Sequence, residues 1–346
     1  MRIAASLLLA LSCCIAPSRS QATVRNVPAD FPSIQAALDA SSSGDEVLVA
    51  PGNYVGALVL GSRHNGVRLA SVGGPAITTI DGGHTGTTIT CNGVGSAASI
   101  EGFTITGGGT LPLSYTVGGG MLLWGSALTV SGNIISGNTC GAAAGIYVDG
   151  GSPAILGNTL SGNSAPFGSG GGIYCDHGTR AIIRGNVIVD NSCAAYGGGV
   201  SVWENSTPDL SLNTIVGNHA ALGGGGLYVV RYSQATVTGT ILAFNTDNGV
   251  VAGDALSGCS FACSDVFGNT PGNFVSIADP TGSNGNQSAD PLFCGLVARD
   301  LHLADASPCA STHAPASCGR EGALDPQCSV TPTRSSSWGR LKANYR

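Results

Sequence analysis

The sequence predicts an all-β solenoid, a chain of short strands wound into stacked coils, and two markers on one beat carry that prediction. The first is a glycine-rich entry into a strand: Gly118-Gly119-Gly120-Met121, Ala144-Gly145-Ile146, Gly170-Gly171-Gly172-Ile173, Gly197-Gly198-Gly199-Val200 and Gly224-Gly225-Gly226-Leu227. The apolar residue after the glycines steps by 25, 27, 27 and 27. The second marker is a pair of asparagines five apart, at Asn133…Asn138, Asn158…Asn163, Asn186…Asn191 and Asn213…Asn218, continued by Thr240…Asn245. Between markers the residues alternate, as in Ile173-Tyr174-Cys175-Asp176, which is the period of a strand. A coil this short has no room for helices, so the helical repeat families are excluded. No coil buries its own apolar face, and stacking supplies the core. Equivalent asparagines then lie one above another, where each tolerates left-handed or bridge backbone and bonds its neighbour.

Taken in order, Met1-Arg2, the apolar run Ile3 to Ala16 and Ser20-Gln21-Ala22 read as an export signal, residues 1–22. The run is too short for a membrane span. Cys13 and Cys14 leave a lipoprotein reading open, although Ala10-Leu11-Ser12 fits a lipobox poorly. Residues 23–46 form an N-terminal cap, in which Ile34, Ala37 and Leu38 share one face of a helix that starts near Pro32. That helix covers the open end of the solenoid, where unpaired strand edges invite aggregation. Residues 47–270 are the coils, opened less regularly by Val47–Val49, Val67–Ala70, Thr87–Thr90 and Phe103–Thr106. After Asn269 the beat fades into an irregular, cysteine-rich C-terminal cap, residues 271–328. Residues 329–346 are a polar linker and a basic tail, either a sorting or anchoring segment or a disordered end.

Composition narrows the function. Glycine supplies 54 of 346 residues without an every-third-residue period, which excludes collagen. With 42% hydrophobic residues the chain can bury a core, so it is not a disordered polyampholyte. Fourteen basic residues face 20 acidic ones, and loss of Arg2 and Arg19 with the leader moves the net charge from −6 to −8. No basic block marks the body, so nucleic acid is not an expected partner. The only lysine, Lys342, lies in the tail, which removes Schiff-base and P-loop chemistry from the coils.

Aligning the coils on the post-glycine residue builds outward columns. The first holds Tyr147, Tyr174, Ser201 and Tyr228; the second Trp124, Asp149, Asp176, Trp203 and Val230; the next adds His177, Glu204 and Arg231. Stacked members lie ~4.8 Å apart. Asp149 above Asp176 is then either a retaining glycosidase pair, which needs ~5–5.5 Å, or two solvated strand-end residues. Two such carboxylates raise one pKa, which suits a general acid. Trp124, Tyr147, Tyr174, Trp203 and Tyr228 are candidates either for stacking sugars or for a cross-strand ladder. His177 beside Asp176, with Arg180 near, resembles a proton-transfer cluster or is plain surface. Arg180, Arg184 and Arg231 are the arginines of the regular coils, without a clustered acidic triad.

No metal ligand set is expected, since histidines do not interleave with cysteines at zinc spacing and aspartates do not recur at fixed offsets. Cofactors are expected to be none. Ten cysteines follow the leader, and in an exported chain disulfides are permitted. Cys259, Cys263, Cys294, Cys309, Cys318 and Cys328 are candidates for stapling the cap, and a Cys309–Cys318 bridge closes a short loop. Cys175 faces inward as a small core residue. Cys140 and Cys193, about two coils apart, are too distant to bond.

Phe31-Pro32-Ser33-Ile34-Gln35-Ala36-Ala37-Leu38-Asp39 followed by Gly44-Asp45-Glu46-Val47-Leu48-Val49-Ala50-Pro51-Gly52-Asn53-Tyr54 resembles the opening of the right-handed parallel β-helix (pectin-lyase-like) superfamily of exported bacterial proteins. The glycine-plus-asparagine coils are similar to repeats of polymorphic outer-membrane adhesins. Asp290-Pro291-Leu292-Phe293 and Ser307-Pro308-Cys309 look like the closing segment of secreted β-helix proteins. The resemblance implies a single right-handed β-helix, and it is weak for activity because the fold hosts many functions. Pectinesterases carry Gly-x-Tyr-x-Glu where this chain has Gly52-Asn53-Tyr54-Val55-Gly56. The Asn-Thr-Asp, Asp-Asp and His-Gly set of polygalacturonases is read as missing. The expectation is therefore an exported, monomeric, non-catalytic β-helix protein of the cell surface or medium that contacts a polysaccharide or another surface component. The alternatives are a polysaccharide hydrolase or lyase centred on Asp149, Asp176, His177 and Arg231, and a purely structural adhesion module.

Overall fold

The computed structural model describes residues 22–110, 117–315 and 317–329; the segment read as an export signal, but for Ala22, and the basic tail lie outside the described residues. The chain is a right-handed parallel β-solenoid with three long faces. Each coil contributes one short strand to each. The first face runs through ten strands, among them Thr129–Ser131, Ala154–Leu156, Ile182–Arg184 and Asp209–Ser211. The second has nine, including Thr159–Ser161, Val187–Val189, Thr214–Val216 and Ile241–Ala243. The third also has nine, including Met121–Trp124, Ile146–Asp149, Ile173–Asp176, Val200–Val202 and Leu227–Val229. The register pairs Met121, Ile146, Ile173, Val200 and Leu227 in sequence, the residues that marked the beat.

Alternation within each strand sends one set of side chains inward, so Val130, Ile155, Ile183 and Leu210 stack along one inner wall and Leu160, Ile188, Ile215 and Leu242 along another. The core is aliphatic, with Cys175 among its members. At one end the helix Ile34–Asp39 lies over it, capped by Ser33, whose side chain accepts a bond from the Ala36 amide, and it buries Ile34, Ala37 and Leu38.

Three polar ladders hold the corners. Asn133, Asn158, Asn186 and Asn213 form one, continued by Thr240 and Ser264; Asn138, Asn163, Asn191, Asn218, Asn245 and Asn269 form the second. In both, a side-chain oxygen accepts the backbone N–H of the coil before it, and the asparagine Nδ2 also donates to a carbonyl of that same preceding coil. A third ladder, of hydroxyls at the corner between the third and first faces, runs Thr179, Ser206, Ser233, Ser257. All but Ser257 are wholly shielded from water. Ladders of this kind meet the demand that buried amides and carbonyls be paired at turns that no sheet reaches.

The C-terminal segment both closes and braces the solenoid. The Ser264 amide donates to the Asn286 side chain and the Val266 amide to the Gln287 carbonyl, which caps the last coil. The chain then turns back along the outside of the second face. There Phe293, Leu301 and Leu303 pack on Val187, Val189, Val216, Ile241 and Phe244. Arg299 forks onto Asp190 at 2.5 and 2.6 Å.

Disulfides Cys263–Cys318 and Cys294–Cys328 staple this brace. The expected Cys309–Cys318 bridge does not form, because Cys318 reaches Cys263 while Cys309 is sealed under the brace beside Gln287. Cys259 is also a free thiol, held in a strand opposite Ala235. Cys140 and Cys193 do not bond to each other, as expected, and are free thiols separated by the coil that carries Ala165. Among the described residues no helix is long and apolar enough to cross a membrane.

Candidate functional site

The chain must turn sharply where each third-face strand ends, and the turn needs a residue in the left-handed region. In the early coils glycine takes that place, with φ of 63° at Gly93, 54° at Gly125 and 67° at Gly150. In the next three coils His177 (51°), Glu204 (48°) and Arg231 (57°) take it instead. A residue with a Cβ pays about 1–2 kcal/mol to sit there. Elsewhere in the fold such a replacement comes with a use for the side chain. Asp190 (φ 55°) holds Arg299, Phe244 (57°) packs on Phe293, and Cys263 (51°) bonds Cys318. His177, Glu204 and Arg231 reach no part of the brace; they face solvent and one another.

They form a bonded string up the corner. His177 Nδ1 lies 3.1 Å from Asp149 Oδ1 and 3.6 Å from Asp176 Oδ2, while its Nε2 lies 3.1 Å from Glu204 Oε2. The other Glu204 oxygen pairs with the Arg231 guanidinium, which stacks over the Trp203 ring at 4.8 Å. The Arg231 amide donates to Asp254. The sequence columns are in register here: Trp124 opposite Asp149, Asp149 opposite Asp176, Tyr147 opposite Tyr174. Glu204, absent from the candidate set, proves to be the link between His177 and Arg231.

Asp176 is the buried member of the string. Tyr147 Oη donates to its carboxylate at 3.2 Å and the His177 amide to its other oxygen at 3.0 Å. Burial raises its pKa, with the negative Glu204 adding to the rise, against the opposing amide and imidazole contacts. Asp149 and Asp176 are neighbours in register, and the His177 imidazole approaches both carboxylates. Arg180 and Arg184 are exposed on the neighbouring first-face side. Two fragments of the polygalacturonase set do occur, at opposite places: His177-Gly178 at this corner, and Asn245-Thr246-Asp247 where Asn245 is buried in a ladder and Asp247 meets His219.

The aromatic candidates divide. Tyr147, Tyr174, Trp203 and Tyr228 form a continuous run of ring contacts 5.3, 6.0 and 6.0 Å apart, and Tyr196 stacks on Tyr228 at 4.4 Å. Tyr147 and Tyr228 are covered in this run, whereas Tyr174, Trp203 and Tyr196 keep part of their surface in water. Trp124 stands apart and is 58% exposed.

Because glycine is at ease where His177 sits, His177→Gly is expected to leave the fold intact or raise its stability by up to about 1 kcal/mol. A urea unfolding midpoint well below that of the parent chain would refute the left-handed cost as the dominant local energy.

Residues 55–215 match a family model described as a right handed beta helix region. No curated protein sequence matches the chain. Among solved structures the chain is similar to a pectin methylesterase from carrot, with 11% identity and a TM-score of 0.39 over 80% of this chain and 90% of that one.

Proposed function

Taking the chain as a right-handed parallel β-helix protein, we propose that it is exported and non-catalytic, and contacts carbohydrate through the third face of its middle coils. One observation carries the reading: three successive coils hold His177, Glu204 and Arg231 in a backbone region glycine prefers, beside the partly open rings of Tyr174 and Trp203. Such an arrangement offers a sugar the open part of an aromatic run and charged groups for its hydroxyls. The His177 imidazole set against both Asp149 and Asp176 argues against a free glycosidase pair. The carboxylates of Asp149, Asp176 and Glu204 outnumber the one arginine, which favours a neutral or cationic glycan over an acidic one. Two disulfides suit an oxidising compartment and thus export. A polysaccharide-cleaving role has one point in its favour, the raised carboxyl of Asp176.

The test is retention of the purified chain on immobilised neutral, cationic and acidic polysaccharides, while new reducing ends and unsaturated products are followed. Retention on a neutral or cationic glycan, weakened at least tenfold by Trp203→Ala and without cleavage, is the expected result. Turnover that disappears in Asp176→Asn would replace this reading with the enzymatic one, and indifference to every glycan would leave a structural module.

A further inference from the structure

The same corner carries a second inference, which stands on its geometry and not on glycan binding. Both ring nitrogens of His177 face carboxylate oxygens: Asp149 and Asp176 on the Nδ1 side, Glu204 on the Nε2 side. A neutral imidazole owns a single N–H. Whichever nitrogen carries it, the other turns a lone pair toward a carboxylate oxygen 3.1 Å away, an arrangement that a positive charge between the two relieves. A cation resolves the conflict. We propose that Asp176, His177 and Glu204 bind a divalent metal ion of the zinc class, with Asp149 as the group that orients the imidazole.

The ligand chemistry supports that choice. One donor atom from each of the three residues lies within 4.8 Å of the others, a grouping found nowhere else among the described residues. A nitrogen with two carboxylate oxygens is the set that zinc, manganese or nickel accepts, whereas calcium takes oxygens alone. Asp149 lies 3.1 Å from Nδ1, placed to accept from it as in the carboxylate–histidine pairs that fix the tautomer at metal sites and leave Nε2 free to ligate. Arg231 occupies only one Glu204 oxygen, leaving Oε2 turned to the imidazole. His177 is about half exposed, so an ion and its waters have a way in. The histidine–aspartate contacts at His219–Asp247 and His302–Asp300 bring together two groups each, too few for a comparable site.

The rival is a proton: an imidazolium could sit among the three carboxylates with no metal at all. Calorimetric titration of chelator-stripped protein with zinc chloride separates the two. One saturable zinc site per chain is expected, weakened at least tenfold by His177→Gly and by Glu204→Gln, with calcium binding far weaker. His177→Gly is expected to fold at least as well as the parent, and circular dichroism with the urea midpoint checks that both variants are intact. Absence of saturable zinc binding, or zinc binding unchanged in both variants, would overturn the proposal, as would calcium binding that matches zinc. Glycan retention without zinc binding would sink this inference alone, and zinc binding without glycan retention would sink only the carbohydrate reading.

Discussion

Replacing Asn191 by alanine is expected to be the most damaging single change in the coils, costing roughly 3–6 kcal/mol and lowering the urea midpoint accordingly. The Asn191 side chain sits in the middle of a ladder that no water reaches. Its Oδ1 accepts the amide of Asn163 at 3.1 Å and the Asn163 Nδ2 at 2.9 Å; its own Nδ2 donates to the Leu160 carbonyl and to Asn218 Oδ1, both at 3.0 Å. Alanine strands the Asn163 amide and the Leu160 carbonyl together, each at about 1–3 kcal/mol, and leaves a small cavity. Asn191→Ser is expected to cost much less. The other ladder shows why: Thr240 takes an asparagine's place there and still accepts the Asn213 amide at 3.2 Å while its hydroxyl donates to the Leu210 carbonyl. If alanine and serine at 191 unfold at the same urea concentration, the ladder is not what holds the corner.

That ladder was legible because its residues are chemically distinctive and recur on the strand beat. The hydroxyl ladder keeps the same beat, 27, 27 and 24 residues from Thr179 through Ser206 and Ser233 to Ser257, yet serine and threonine are too common to stand out. It also breaks at Gly151, which fills that slot one coil earlier; a Cβ there would lie 2.3 Å from the Ser126 carbonyl oxygen. The brace along the second face left a signal that alternation alone conceals. Thr159-Leu160-Ser161 alternates, whereas Val187-Ile188-Val189 and Ile241-Leu242-Ala243 are apolar throughout, as strands buried on both sides must be. Cysteine pairing was not readable, since six candidates allow 15 connectivities. At the candidate site the columns gave the right neighbours. The period-two rule stops where the strand does, however, and the direction of His177 is set by a left-handed turn that alternation does not describe. Hence the imidazole between the two aspartates, and the bridging part of Glu204, came only from the folded chain.

The second large effect is expected from pH, and its source lies under the brace. Asp265 and Glu321 are both fully buried where the C-terminal segment meets the last coils, with Cys309 between them in the same enclosure. Asp265 accepts the Ala289 amide through Oδ1, Glu321 accepts from Gln287, and both carboxyls face the Cys309 thiol. Burial, reinforced by Glu321 and Asp290, pushes the Asp265 carboxyl up to about 8, and burial pushes Glu321 to about 7. Both groups thus keep a proton in the folded chain over a range where the unfolded chain has released it, so folded protein binds more protons and stability falls as pH rises. The fall begins near the ordinary carboxylate range, about pH 4, and is complete near pH 8. Each tenfold gain in proton affinity on folding is worth about 1.4 kcal/mol, which sets an upper limit of about 9 kcal/mol for the two shifts together; coupling of the two carboxyls and relaxation of the seam bring the expected loss down to the order of 3–5 kcal/mol across that window. Asp265→Asn with Glu321→Gln removes both protons from the balance. The double variant is expected to match the parent near pH 4 and to exceed it near pH 8, where the parent must either bury two charges or hold protons against the solvent. Urea titrations at the two pH values measure the difference directly. A parent chain more stable at pH 8 than at pH 4, with the same slope in the variant, would mean that these carboxyls ionise freely and that water reaches the seam between brace and coils.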